Sequence, residues 1–233
     1  MNQTTENTTL NFFEKNWKLL ALGLGVFIIA GLVWAIISGN SKRKEITAQE
    51  NYAALDEQFN KYKEQKNTLS TDPKAEIKDK VDVANLKTNL QDFVTQNTGT
   101  VASQIAALSL SDILLDENNQ TEALNLLKKA ETNSDFLSNV LIRKKTGQIL
   151  ADTNQCKEAI AVWDKIITDK KTEYVQADVK IKQALCYQKL NDLKKAEEIL
   201  TAIKNNRGEG QQQTAAEADR ILRLLQHSKA SGS

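Results

Sequence analysis

The sequence predicts an all-α protein with one N-terminal transmembrane helix followed by an α-solenoid of antiparallel helical hairpins. Three observations lead there. A single uncharged apolar run lies near the N-terminus, although the mean hydropathy of the chain is −0.47, so the remainder is polar enough for an aqueous domain on an anchor. One Pro and nine Gly among 233 residues leave long stretches without helix breakers, and alternating β-branched runs bounded by turns are almost absent. From Val101 onward the sequence repeats itself.

The apolar run, Leu19 to Ile37, reads LLALGLGVFIIAGLVWAII. At about 1.5 Å per helical residue it matches the bilayer hydrocarbon core. Trp17 and Trp34 lie near its ends, where amphipathic rings prefer the lipid–water boundary. A buried core helix of this length would need a large surrounding core, which the polar remainder does not supply. A cleaved signal peptide would need a small-x-small site, and Ile36-Ile37-Ser38 and Ser38-Gly39-Asn40 are both poor ones. The reading is an uncleaved signal anchor. It divides the chain into a leader (1–18), a membrane span (19–37), a basic juxtamembrane flank (38–44), a repeat domain (45–228) and a tail (229–233). Lys15 and Lys18 precede the span, while Lys42, Arg43 and Lys44 follow it. By one charge, this favours a cytoplasmic C-terminal domain.

After the span, a helix is expected over Glu45 to Lys66, with Tyr52, Leu55, Phe59 and Tyr62 as its apolar stripe. Lys42 to Lys44 suit a headgroup-gripping flank better than a first helical turn, whose dipole repels cations. Asn67 to Pro73 is a polar break, and Pro73 is expected to start a second helix that runs to about Gln96. The buried face of that helix is Val83, Leu86, Leu90, Phe93 and Val94.

The repeats align on a small residue followed by an alanine: Ser111 and Ala123, Gly147 and Ala159, Ala184 and Ala196. The alanines are 36 and then 37 residues apart. Each window reads helix, polar turn, helix, with turns at Glu117-Asn118-Asn119, Thr153-Asn154-Gln155 and Asn191-Asp192. Small residues are needed where two helices cross closely. A last amphipathic helix, Gln212 to Gln226, carries Ile221, Leu222, Leu224 and Leu225 and caps the stack.

These windows resemble the tetratricopeptide repeat (TPR). The likeness covers the small crossing residue, the large position after it (Leu114, Leu150, Tyr187), the second-helix alanine and the large apolar position beyond (Leu127, Trp163, Leu200). The usual terminal proline is missing, the period is slightly long, and the early tryptophan position holds Ala107, Arg143 and Lys180. The alternative is an unrelated antiparallel helical stack.

The whole layout resembles the YfgM family of bacterial TPR-like membrane proteins. Phe12-Phe13-Glu14-Lys15-Asn16 looks like that family's leader, and FVTQNTGTVASQIAALSLSDILLDENNQTEALNLLKKA, from Phe93 to Ala130, like its best-recognised segment. The resemblance implies a protein of the bacterial inner membrane with its repeats in the periplasm, against the one-charge bias. It also implies an accessory or chaperone at the Sec translocon. Its partners would be translocon subunits, a membrane-anchored chaperone or unfolded exported clients, besides lipid around 19–37.

No catalytic constellation is visible. His227 is the sole imidazole and sits in the polar C-terminal stretch. No phosphate-binding loop and no Cys/His cluster occurs, so no cofactor, metal or small-molecule substrate is expected. A net charge of +1, from 31 basic and 30 acidic residues, argues against nucleic acid. Binding is the better case. Projecting the repeat pattern, the first helices of the hairpins would line a groove with Ile105, Leu108, Asp112 and Leu115; with Leu141, Lys144, Gln148 and Ala151; and with Asp178, Ile181, Leu185 and Gln188. The first-repeat positions where some TPRs clamp a carboxylate hold Leu108 and Asp112, which do not attract one. The mixed lining suits an apolar or amphipathic segment. The alternative is that several of these residues pack against the helix over Glu45 to Lys66. A second function class is a structural scaffold or assembly factor for another envelope complex. Cys156 and Cys186 are either a disulfide between neighbouring repeats, which an oxidising compartment allows, or two buried thiols.

Overall fold

The computed structural model describes residues 41–132, 136–205 and 211–231, with side chains to 227. The leader, the expected span at 19–37 and the start of the flank lie outside the described residues. No helix among the described residues is long and apolar enough to cross a membrane.

The chain divides into two units, Met1–Thr47 and Ala48–Ser233. Of the first, the described part is helical over 41–47. This corrects the expectation that Lys42, Arg43 and Lys44 stay outside a helix: Lys and Arg are good helix formers, and no Gly or Pro interrupts 41–71.

The second unit is a stack of helices, with no strand among the described residues. Helix α1 is described over 41–71; then come α2 (Val83–Gln96), α3 (Val101–Asp116), α4 (Gln120–Ala130), α5 (Leu137–Asp152), α6 (Cys156–Ile167), α7 (Glu173–Lys189), α8 (Leu193–Asn205) and α9 (Gln212–Ser231). A 3₁₀ turn, Lys170–Thr172, leads into α7. Pro73 does not start α2. Asp72 instead forms a turn, its side chain accepting from Lys74 N at 3.0 Å, and α2 begins ten residues beyond it behind Asp82, whose carboxylate accepts from Asn85 N at 3.1 Å. The Asp82 side chain satisfies one of the amides that the first turn of α2 leaves without a helical partner.

The hairpins α3–α4, α5–α6 and α7–α8 are the three repeats. Their turns share one backbone device. Asn118, Asn154 and Asn191 adopt positive φ of 60°, 61° and 63°. The amide of the following residue bonds back to the helix, from Asn119 to Leu114 at 2.8 Å, from Gln155 to Leu150 at 2.8 Å and from Asp192 to Tyr187 at 2.9 Å. These are Schellman closures, and asparagine tolerates the left-handed position better than other residues with a side chain.

All six small crossing residues are buried: Ser111, Gly147 and Ala184 on the first helices, Ala123, Ala159 and Ala196 on the second. One turn beyond each alanine on the second helices, Leu127, Trp163 and Leu200 are each at most 1% exposed. A Cβ added to Gly147 would sit 2.6 Å from Trp163 Cδ1, inside the indole. The largest residue in this layer thus faces the smallest.

Three apolar clusters form the core, chained by Leu124 between the first two and Tyr187 between the last two. α1 and α2 close one end through Tyr52, Phe59, Leu86, Leu90 and Phe93, and α9 closes the other through Ala218, Leu222 and Leu225. Of the expected α9 face, Leu224 is 64% exposed and outside this core.

Candidate partner-binding groove

The inner layer of the stack is α1, α3, α5 and α7, and cross-helix pairs show that they run parallel. Tyr52 bonds Ser109 at 3.0 Å, and almost three turns further along α1 Tyr62 donates to Asp116 at 2.6 Å. Gln104 meets Ser138 near the starts of α3 and α5, and Asp112 meets Lys145 further along. Between α5 and α7, Lys144 pairs with Asp178 at 2.6 Å, Lys182 donates to Gln148 at 2.9 Å, and Lys189 donates to the Ala151 carbonyl at 3.0 Å. Lys145 and Lys182 are 37 residues apart, so the same repeat position supplies the strap to the preceding helix in each case. Sequence reasoning left these straps unassigned, yet the repeat spacing of the two lysines was their signal.

The structure treats the expected groove residues in three ways. In the first repeat, α1 covers part of the groove. Leu108 and Leu115 pack with Leu55 and Tyr62 against the first core cluster. Lys66 and Tyr62 reach Asp116 from α1. What remains there is a shallow hollow of about 350 Å³ lined by Tyr62, Lys63, Lys66, Asp112, Leu115 and Lys145, among others. Ile105 stays 38% exposed. The alternative in which α1 packs on these residues therefore describes this end of the face.

Two residues do not line the groove at all. Ala151 is 7% exposed and Ile181 3%, and they belong to the second and third core clusters. The projection from an ideal repeat fails at these positions because Ala151 packs in the cluster that α6 and α7 build on α5, and Ile181 in the cluster that α8 and α9 build on α7.

The rest remain accessible. Leu141 and Leu185 are 47% and 38% exposed, Gln188 is exposed, and Lys144, Gln148 and Asp178 are half-buried. The open part of the face thus belongs to α5 and α7, with two leucines flanking a polar ladder.

Two electrostatic features hold this layer. Burial by itself would raise the Asp116 carboxyl, but the bonds from Lys66 and Tyr62 outweigh it and hold the group below its usual range. Burial, with the same carboxylate alongside, pushes the Tyr62 phenol up. Burial also pushes Tyr52 up to about 12, so it stays a neutral hydrogen-bonding phenol. No metal-binding cluster of His, Cys, Asp or Glu occurs among the described residues.

Cys156, the first residue of α6, and Cys186, in the last turn of α7, form a disulfide with Cα atoms 5.2 Å apart. The antiparallel neighbours α6 and α7 bring the start of one beside the end of the other. Both sulfurs are buried.

A family model described as a tetratricopeptide repeat-like domain matches residues 74–195, just over half of the chain. The chain belongs to this family. The matched span runs from the turn before α2 into the first turn of α8, and so covers the groove helices α3, α5 and α7. Such domains are typically protein-interaction modules without a catalytic role. No curated protein and no solved structure gives a match to the chain.

Proposed function

We propose that the chain is a membrane-anchored adaptor that binds proteins through the open inner face of α5 and α7. In this reading 1–18 is a cytoplasmic leader, 19–37 spans the bacterial inner membrane, 38–44 is a juxtamembrane flank, and 45–228 is a periplasmic repeat domain followed by a tail. The accessory or chaperone role at the Sec translocon rests on the likeness to the YfgM family, and its clients are exported proteins that have not yet folded. The observation that carries the binding role is the contrast along one face: α1 packs over Leu108 and Leu115 of the first repeat, whereas Leu141, Leu185 and Gln188 stay open on the next two. Leucines beside a ladder of Lys144, Gln148 and Asp178 suit an amphipathic segment, whose apolar side is buried while its polar side meets the ladder. The Cys156–Cys186 disulfide supports an oxidising compartment.

A photo-crosslinking residue at position 185 in the full chain, read by mass spectrometry from native membranes, tests the reading. Diverse unfolded exported proteins and translocon subunits are the expected products. One stoichiometric folded partner would instead identify a scaffold or assembly factor. A C-terminal alkaline phosphatase fusion tests the compartment, and an inactive fusion on a stable chain overturns it.

A further inference from the structure

The straps of the inner layer let one repeat be compared with the next. Lys145 of α5 reaches back to Asp112 of α3. Lys182 of α7, 37 residues after Lys145, reaches back to Gln148 of α5 at 2.9 Å. Asp112 and Gln148 are 36 residues apart, so they occupy the same repeat position. A carboxylate thus receives the first lysine, and a neutral amide receives the second. The two acidic residues a turn away from this second pair are bonded elsewhere. Asp178, on α7, holds Lys144 at 2.6 Å, and Asp152, on α5, accepts from the Gln148 amide at 2.9 Å. Lys189, the third cation of the open face, ends on the Ala151 carbonyl at 3.0 Å. Three lysines of α5 and α7 therefore share two aspartates on this face, and Lys182 meets a neutral partner where its repeat equivalent meets an acid.

We infer that Lys182 is the anion-recognition group of the open face, and that the segment bound there is an acidic amphipathic one, with an Asp or Glu carboxylate beside its apolar residues. The inference deepens the binding role proposed for α5 and α7 and rests on it. An ammonium carries three donors, and the bond to Gln148 Oε1 uses one of them. Lys182 is half-buried, so its field is screened less than that of a fully exposed lysine. It precedes Leu185, which is 38% exposed, by three residues on the same helix. That is about 4.5 Å along the axis, a separation that same-face neighbours of a bound helix also keep. A carboxylate of the segment would reach Lys182 while the apolar residue next to it covers Leu185. A basic segment would meet like charge at the same place, which gives the face a means of rejection as well as attraction. The carboxylate is that of a side chain, because a chain still being delivered presents no free C-terminus.

The test measures the fluorescence anisotropy of dye-labelled, C-terminally amidated peptides added to the full chain in a neutral detergent. A short amphipathic peptide of leucines bordered by glutamates is compared with the same peptide carrying glutamine at each glutamate. The acidic peptide should bind the parent about three- to fivefold more tightly. Lys182→Gln should bring the two peptides to parity, and Lys182→Arg should keep the preference. Gln148→Glu supplies at this repeat the acid that Asp112 supplies in the first, and it should also bring parity although Lys182 is still present. Circular dichroism melts of each variant show that the fold is kept. Parity in the parent, or an unchanged preference in folded Lys182→Gln, overturns the inference while leaving the binding face intact. A preference lost in Lys63→Gln instead overturns it by assigning the charge to the hollow under α1. Tighter binding of the glutamine peptide when its C-terminus is left free, with no gain from glutamates, overturns it in favour of a terminal carboxylate. Binding of neither peptide removes the open face as a binding site, and this inference with it.

Discussion

Substituting Gly147 separates two opposing effects of known sign. In a helix interior, Gly→Ala gains roughly 0.8–1 kcal/mol where space allows. Here the new methyl would sit 2.6 Å from Trp163 Cδ1, whereas carbon atoms pack at about 3.5–4.0 Å. The indole or the helix must therefore retreat by about 1 Å. Trp163 is 1% exposed, so it has no free space to retreat into, and overpacking of this kind costs about 1–3 kcal/mol. Gly147→Ala should thus destabilise by up to about 2 kcal/mol net. Trp163→Leu alone should cost about 2–4 kcal/mol by leaving a cavity under a glycine. In that background, however, Gly147→Ala recreates the Ala184–Leu200 pair of the third repeat, and should stabilise by about 1 kcal/mol. The alanine turns stabilising, giving a coupling of about 1–3 kcal/mol. Urea unfolding of the four proteins, followed by far-ultraviolet circular dichroism, measures the cycle. Additivity within about 0.5 kcal/mol, or a Gly147→Ala protein more stable than the parent, would refute the size-matching argument.

Four other outcomes are expected. Gln104 is 1% exposed and joins the Ala130 carbonyl at 3.0 Å, Asn139 at 2.6 Å and Ser138, so Gln104→Leu strands several buried partners and should cost about 2–3 kcal/mol in chemical denaturation. Asn154→Ala should cost about 1–2 kcal/mol at its φ of 61°, while Asn154→Gly should be neutral or stabilising, and an equal loss for both would contradict the left-handed closure. Replacing both Cys156 and Cys186 by Ala opens a bridge between positions 30 apart, and should lower stability by about 3–4 kcal/mol on the chain-entropy account, read as a fall in Tm that reductant reproduces in the parent. For acid, the sign follows from Glu131. Burial would raise it, but Arg143 and Lys165 hold it below its ordinary 4.5, so it binds fewer protons folded than unfolded. Its stabilisation is present above pH 4.5 and is lost as pH falls through the lower folded value. Glu131→Gln should flatten the fall of Tm below that pH, and an unchanged acid limb would show that the Arg143 and Lys165 contacts are not made in solution.

The repeats were legible because their signals are local and recur. The crossing residues, the three polar turns and the large positions facing the crossings all fall at one spacing, and each maps to a buried contact or a closed turn. The start of α2 was misread because Pro73 and Asp82 are both start signals, and only the bond from Asn85 N to Asp82 shows which one the chain uses. Ala151 and Ile181 were misplaced for another reason. Their burial depends on which neighbouring helices close over them, α6 and α7 over Ala151 and α8 and α9 over Ile181. Spacing within one helix does not encode it.

The same distinction explains why the extent of the groove was not legible. In a solenoid each repeat packs on its neighbours, so a terminal repeat must be covered by something that is not a repeat. Here α1 covers the first, and it does so from the inner layer, parallel to α3, so the element that completes the core also removes groove. Its stripe of Tyr52, Leu55, Phe59 and Tyr62 was readable, but a stripe says that a face is buried and leaves open where. Neighbouring helices lie about 8–10 Å apart. Closing one of three repeats therefore shortens the face to α5 and α7, a width of roughly 20 Å once their side chains are included. That spans about six residues of extended chain or about 13 of helix. On the binding role proposed for it, a face of this size would hold one short segment at a time. It suits transient contact with a passing chain better than a stable grip on a folded surface, which usually needs about 800 Å² from each partner.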